Sequence, residues 1–250
     1  MIDLKTSGGI ATVTLAHGKA SALDVEFCDA IAGQFDALRT ADARAVVLTG
    51  QGNIFCAGVD LPRMLDGGPD YVRKFLPALH RLYNAVFFFP KPVVAAVNGH
   101  AIAGGCVLAC CADRRLMARE GGRIGVTELL VGVPFPPLAF EVMRFATTPR
   151  FLAEAIYGGA IYPPDAAIER GFIDQTVEGD GLLAGASEEA RKLAALPPAT
   201  FAQTKAQMRE TVAERLASSG AATEKAVTEI WTRPEILAQM RDFVARTLKK

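Results

Sequence analysis

The sequence has no excess of charge of either sign and few histidines, and these shortages exclude several classes of function. Among its 250 residues, Lys plus Arg and Asp plus Glu both count 27, so there is no basic field to attract nucleic acid or an anionic membrane. Three scattered histidines and five cysteines without ligand spacing give no metal-site pattern. We therefore predict no metal, no nucleic acid and no membrane among its partners.

The cysteines are odd in number and irregularly spaced, which argues against a disulfide framework and for a reducing compartment. We interpret them as small buried core thiols: Cys28, Cys56, Cys106, Cys110 and Cys111. No apolar run approaches the ~20 residues that a membrane span needs, and residues 1–5 lead into a strand-like segment without the pattern of a signal peptide. We expect a cytoplasmic protein.

Strand-like and helical patterns alternate along the first part of the chain. Ala45–Gly50 and Val93–Val97 are short, apolar and β-branched, as strands covered on both faces are. Between them, apolar residues recur at helical spacing over residues 71–86, and Pro77 predicts a kink or a new start there. The alternation predicts an α/β fold with a mostly parallel sheet.

The later part of the sequence is mainly helical. Only residues 172–177 have an extended pattern, and two amphipathic helices are predicted, one over residues 201–216 and one after Pro234 that includes Leu248. We divide the chain into a core of residues 1–195 and a C-terminal helical region of residues 196–250. This region either packs on the core or serves assembly between subunits.

Two loops rich in small residues, 55–61 and 98–106, each join a buried strand to a helix, and α/β sheets bind ligands in such loops. Gly104 and Gly105 precede an uncharged helix, so free backbone N–H groups and the positive end of its dipole face outward. Phosphate-binding GxxxxGK[ST] and GxGxxG patterns are absent, and so is a nucleophile elbow. A thioester oxygen that acquires negative charge is the better candidate ligand.

Several motifs together resemble those of the crotonase (enoyl-CoA hydratase/isomerase) superfamily, and they occur in its order over nearly the whole chain. Each motif is weak alone, but the set is specific. They are Ser21-Ala22-Leu23-Asp24, Ala57-Gly58-Val59-Asp60, Asn98-Gly99 with Gly104-Gly105, Glu128, and Gly171-Phe172-Ile173-Asp174-Gln175-Thr176-Val177.

The resemblance implies a crotonase-type ββα spiral whose C-terminal helical region drives trimers or dimers of trimers. It also implies an acyl-coenzyme A substrate with no further cofactor. By the same resemblance, the amides of Val59 and Gly104 are the expected oxyanion-hole donors. The residues expected to line the coenzyme A site are Ala22, Ala57, Asp60, Leu61 and Gly105.

The acid–base residues distinguish the reactions of this superfamily. Hydratases usually carry two glutamates that hold a water, but here the first position is Val107 and only Glu128 remains. One carboxylate is enough for a 1,3-proton shift, the pattern of Δ3,Δ2-enoyl-CoA isomerases. We therefore predict that Glu128 is the base and then the acid, with a pKa raised by apolar neighbours such as Leu129 and Leu130.

Other interpretations stay open at this stage. The protein could be a hydratase or another crotonase-type lyase or hydrolase, or a non-catalytic acyl-CoA binder. Arg63 could contact coenzyme A phosphates or be solvated, and His17 has no partner pattern. Asp60 is expected to bind nearby backbone rather than to act in catalysis. Acyl chain length, and trimer versus hexamer, are not predicted.

Overall fold

The computed structural model describes residues 1–247, which contain ten strands and twelve α-helices. The strands are β1 (Ile2–Ser7), β2 (Ile10–Leu15), β3 (Ala45–Gly50), β4 (Ile54–Cys56), β5 (Val93–Val97), β6 (His100–Ile102), β7 (Arg114–Ala118), β8 (Ile124–Gly125), β9 (Ile161–Tyr162) and β10 (Gln175–Val177). The helices are α1 (Val25–Thr40), α2 (Leu61–Phe87), α3 (Gly104–Cys110), α4 (Glu128–Val131), α5 (Pro137–Ala146), α6 (Leu152–Gly158), α7 (Pro164–Arg170), α8 (Leu182–Ala194), α9 (Pro198–Met208), α10 (Glu210–Arg215), α11 (Ala221–Trp231) and α12 (Pro234–Thr247).

From β3 to β8, successive strands go alternately to two sheets. The larger sheet has the order β1-β2-β3-β5-β7-β10 and is parallel except for the β1–β2 hairpin, and the smaller has the order β4-β6-β8-β9. The chain therefore repeats a unit of one strand in each sheet followed by a helix: β3-β4-α2, β5-β6-α3 and β7-β8-α4. This is the predicted ββα spiral.

The central strands of the larger sheet are covered on both faces, as their apolar sequences predict. Val46 and Leu48 belong to the main core, whereas Ala45 and Val47 face a smaller cluster formed with α8. Because alternate residues of a strand point to opposite faces, a strand between two cores must be apolar throughout.

The predicted break in the helix over residues 71–86 is wrong in position. Helix α2 is interrupted at Gly68, which has φ 60° and ψ −155° and precedes Pro69. Only glycine adopts this backbone conformation readily. Pro77 lies on the exposed face, where water can hydrogen-bond to the Arg73 carbonyl that lacks its usual donor, and the helix continues through it.

Two predictions in the later part of the chain also need correction. The extended segment over residues 172–177 is limited to β10, because Gly171 (φ 81°) ends α7 in a turn that buries Phe172. The single helix over residues 201–216 is divided at Arg209, whose φ of −103° and ψ of 2° separate α9 from α10.

The C-terminal helices pack on the core: α10 contacts α5, and α11 and α12 contact α2. The last three residues of the predicted region 196–250, which include Leu248, lie outside the described residues. The division into residues 1–195 and 196–250 stays a prediction. Within residues 1–247, no helix combines the length and apolar character required to cross a membrane.

Candidate active site

Three loops leave neighbouring strands of the smaller sheet at the same edge. Strands β4, β6 and β8 are adjacent and parallel, so the segments after Cys56, Ile102 and Gly125 start side by side. The amide of Ala103 donates to the carbonyl of Gly125 over 2.8 Å and joins two of these loops. The predicted site residues of the two glycine loops and Glu128 are therefore brought to one place.

Glycine allows the first two loops to touch. A Cβ on Gly58, whose φ is 87°, would lie 2.6 Å from the carbonyl oxygen of Ile102 and 3.2 Å from the amide nitrogen of Gly104. A Cβ on Gly105 would lie 2.1 Å from the carbonyl oxygen of Cys56. Since real Cβ atoms do not approach backbone so closely, any side chain here would force the loops apart.

The amides of Val59 and Gly104 are free donors beside this contact. Neither donates a hydrogen bond to any group within residues 1–247. The surrounding backbone is fixed, because Leu23 donates to Gly58 over 2.7 Å and accepts from Asp60 over 2.9 Å. Two unpaired N–H groups on fixed backbone are suited to bind a developing oxyanion without reorganisation.

Glu128 is the buried carboxylate of the third loop. It starts α4 and is only 8% exposed, and its Oε2 has no hydrogen-bond partner within the described chain. Burial raises the pKa of this carboxyl to about 7, and nearby amides of Glu128 and Thr127 offset the effect only in part. The predicted direction is right, but Leu129 and Leu130 are not the cause. Both point outward, 40% and 49% exposed.

Tyr83 is a site residue that the sequence analysis missed. Its hydroxyl donates to the carbonyl of Gly104 over 3.0 Å, and the side chain is fully buried in α2. Burial raises its pKa well above the usual range, and the acidic neighbours Cys111 and Glu128 add to this. The sequence contains one clue, because a tyrosine on the apolar face of a helix requires a partner for its hydroxyl.

The residues predicted to contact coenzyme A divide into two groups. Ala22, Ala57, Asp60 and Leu61 are half-buried neighbours, since the segment around Ala22 is hydrogen-bonded to the loop that contains the other three. The carboxylate of Asp60 accepts from the amide of Arg63, the structural role expected of it. Gly105, in contrast, is buried beneath the first loop.

The charged residues next to this rim form a network that local patterns did not predict. Arg63 is partly exposed but paired, because its guanidinium contacts Asp24 over 2.7 Å and Glu26 over 2.6 Å. Nε2 of His17 lies 2.8 Å from the same carboxylate of Asp24. Burial alone would raise the pKa of Asp24, but the amide of Phe27, His17 and Arg63 together lower it.

The five cysteines are buried and free, as predicted. Burial raises the pKa of Cys56 to about 12, which keeps its thiol protonated. Within residues 1–247, no group of three or more His, Cys, Asp and Glu side chains is placed to hold a metal ion.

A family model for enoyl-CoA hydratase/isomerase proteins matches residues 5–247. The chain belongs to this family. Its relatives include the rat mitochondrial enoyl-CoA delta isomerase 1, which is 25% identical over 253 residues covering 100% of this chain and 88% of the rat protein. They also include the protein of Mycobacterium tuberculosis named probable enoyl-CoA hydratase EchA17, 28% identical over 221 residues, 86% of this chain and 84% of that protein.

Solved structures of the family share the architecture. Human mitochondrial delta3-delta2-enoyl-CoA isomerase superposes with a TM-score of 0.94 at 24% identity, covering 99% of this chain and 98% of the human one. An enoyl-CoA hydratase/isomerase from Xanthobacter autotrophicus superposes with a TM-score of 0.86 at 27% identity, covering 100% and 98%. The present protein therefore has the crotonase fold, including its C-terminal helical region.

Proposed function

We propose that this protein is an enoyl-CoA isomerase that converts 3-enoyl-CoA to 2-enoyl-CoA. The observation that carries the proposal is Glu128, a buried carboxylate with a pKa of about 7, placed beside two loops with free amides. The position where hydratases of the superfamily usually carry another glutamate is Val107, which is fully buried.

In the proposed reaction, Glu128 takes a proton from C2 of the 3-enoyl thioester. The C–H electron pair moves into the conjugated system and leaves negative charge on the thioester oxygen, which accepts hydrogen bonds from the amides of Val59 and Gly104. Each donor of this kind contributes about 2.7–4 kcal/mol in other enzymes. Return of the same proton to C4 gives the conjugated 2-enoyl product, and a pKa of about 7 suits both transfers near neutral pH.

Hydration is the alternative activity, and some relatives are named as probable hydratases. Addition of water requires one group that orients the water and one that supplies a proton to the substrate carbon. Val107 can do neither, because its side chain has no proton to exchange and is enclosed by the core. One carboxylate thus favours the proton shift over hydration.

The test is to incubate the purified protein with medium-chain 3-enoyl-CoA and, separately, 2-enoyl-CoA. We expect conjugated-thioester absorbance to appear from the 3-enoyl substrate without gain of mass. Glu128→Gln should abolish this while coenzyme A binding is retained. Glu141→Gln, which replaces another buried carboxylate outside the three loops, is the matched control and should remain active. Loss of conjugation from the 2-enoyl substrate with gain of one water would instead establish a hydratase.

We further propose that the coenzyme A part of the substrate lies along the rim formed by Ala22, Ala57, Asp60 and Leu61.

We also propose that the protein forms homotrimers or dimers of trimers. Assembly is supported by large apolar side chains that remain exposed next to one another: Leu130 contacts Gly159, and Tyr157 is 76% exposed. Light scattering tests this, and a monomer would contradict it.

A further inference from the structure

Helix α3, which begins with Gly104, lacks the usual means of fixing a helix start. The preceding residue, Ala103, has φ 50° and ψ −122°, a conformation that L-residues with a Cβ rarely adopt, and no side chain caps the helix. Two glycines follow, which have little conformational preference of their own. The direction of the Gly104 amide is therefore determined by the hydrogen bonds that hold the peptide groups on either side of Gly104.

Tyr83 supplies one of these hydrogen bonds. Its hydroxyl donates to the Gly104 carbonyl over 3.0 Å and would lie 2.9 Å from a Cβ on that glycine. The hydroxyl thus fills the space that the missing side chain leaves. Leu23, whose Cδ1 would lie 3.1 Å from the same Cβ, packs from the segment before α1 that is bridged to Val59.

The two peptide planes that meet at the Cα of Gly104 are both held. The first contains the Gly104 N–H and the Ala103 carbonyl, which accepts from Val107 over 3.1 Å. The second contains the carbonyl that accepts from Tyr83. A rotation about Gly104 that would turn its N–H away from a bound oxygen has to break or stretch one of these bonds.

We propose that Tyr83 is a positioning residue that fixes the direction of the Gly104 amide toward the thioester oxygen. This inference rests on the proposed function, in which that amide is an oxyanion donor. Tyr83 touches neither substrate nor reacting atoms in this role. Its effect passes through the backbone of one glycine.

The hydroxyl is a constant donor over the working pH range. Burial keeps the pKa of Tyr83 well above its usual range, with smaller contributions from acidic neighbours that include Glu128. The phenol thus remains protonated whether Glu128 is ionised or neutral. If Tyr83 instead acted on the ionisation of Glu128, its removal would displace the pH dependence of turnover, and this separates the two roles.

The test compares Tyr83→Phe with Thr49→Val in the full-length protein. Both substitutions remove a buried hydroxyl that donates to a backbone carbonyl. Thr49 donates to Ala96 in the larger sheet over 2.8 Å and reaches the second loop only at Asn98, over 3.4 Å and six residues before Gly104. We expect Tyr83→Phe to lower kcat about 10–100-fold with little change in KM, because a small misplacement of a transition-state donor is costly. Thr49→Val should keep kcat, and the pH midpoint should be the same in both variants and the wild type.

A second readout does not require turnover. Acetoacetyl-CoA bound to the wild type should show the near-ultraviolet band of its enolate, because the two oxyanion-hole amides stabilise the charged oxygen. Tyr83→Phe should weaken this band. Wild-type protein that forms the enolate but does not convert 3-enoyl-CoA would refute the proposed function and leave the role of Tyr83 intact. Unchanged kcat and enolate band in Tyr83→Phe would overturn the role of Tyr83 alone, as would a displaced pH midpoint.

Gly104→Ala tests the same contact if Tyr83→Phe does not fold. The added Cβ would lie 2.9 Å from the Tyr83 hydroxyl and displace it. We expect the enolate band to weaken as it does in Tyr83→Phe. A wild-type band and wild-type kcat in Gly104→Ala would overturn the proposal.

Discussion

The carbonyl of Gly125 accepts a hydrogen bond of 2.8 Å from the amide of Ala103, and this bond couples the positions of the proposed base, Glu128, and the proposed oxyanion donor, Gly104. Glu128 lies three residues beyond one partner, and Gly104 is next to the other. Because both partners are backbone groups at the ends of paired strands, the spacing does not depend on the surrounding side chains. The sheet itself sets the spacing of these two loops.

The pH dependence of turnover should reveal the base. If Glu128 must be ionised to accept the C2 proton, kcat/KM rises with pH through about 7 and is constant above it. The measurement is kcat/KM for 3-enoyl-CoA between about pH 5 and 9, which reports the free enzyme. A midpoint near the ordinary glutamate value of about 4.3 would mean that Glu128 is not the titrating group.

The same carboxyl should make the folded protein less stable as pH rises. The folded-state pKa of about 7 exceeds the ordinary 4.5, so the folded protein binds more protons between these values. The free energy of unfolding then falls across that window, by up to about 3 kcal/mol. Glu128→Gln avoids this cost and should be more stable than the wild type at pH 8, with the difference lost below about pH 4.5.

Urea unfolding of the wild type and Glu128→Gln at several pH values checks this expectation. Glu141→Gln is the control, since Glu141 is equally buried but accepts from Arg215 over 3.1 Å. Loss of that ion pair should destabilise the control at pH 8. If Glu128→Gln were also less stable than the wild type at pH 8, the ionised Glu128 carboxylate would be stabilised by a hydrogen bond or charge, and the prediction would be wrong.

Gly58 should be intolerant of a side chain for two separate reasons. Alanine there would adopt a φ of 87° and place its Cβ 2.6 Å from the carbonyl of Ile102, which pushes the Val59 amide away from Gly104. Gly9→Ala is the control, because Gly9 has φ 77° but no atom within 4 Å of its added Cβ. Both variants lose about 1–2 kcal/mol to backbone strain. Only Gly58→Ala should also lose turnover, and equal kcat in the two would contradict the contact.

Features determined by local sequence were predicted well. The strands Ala45–Gly50 and Val93–Val97 are exact, because an apolar β-branched run has few alternatives once it is covered on both faces. Asp24 caps α1, with its carboxylate accepting from the amide of Phe27 over 2.7 Å, as an aspartate before a helical pattern does. The raised pKa of Glu128 was also predicted, although from its flanking leucines, which point outward.

Features that depend on distant partners could not be predicted from the sequence. Helix α4 has only four residues, so periodicity could not show that Leu129 and Leu130 point away from the Glu128 carboxyl. Tyr83 meets Gly104 across 21 positions of sequence, and Arg63 meets Asp24 across 39. Such contacts arise from the packing of α2 against the loops, which no local pattern encodes.

Asp24 offers a test of the charge network around the coenzyme A rim. Asp24→Asn keeps a side-chain oxygen that can cap α1, but it removes the charge paired with Arg63 and facing His17. Arg63 is 41% exposed, so solvent screening limits the loss to about 1–2 kcal/mol in the free energy of unfolding at pH 7. The pKa of Asp24 is lowered in the folded protein, so its contribution is present above the ordinary value of about 3.9 and is lost as pH falls through the lowered one.

Chemical denaturation of the wild type and Asp24→Asn at pH 7 and in acid should therefore show a difference in stability that disappears in acid. Glu26→Gln, which breaks only the exposed pair with Arg63, should cost less than about 1 kcal/mol, and an equal loss in both variants would assign the stability to Arg63 packing rather than to the Asp24 charge.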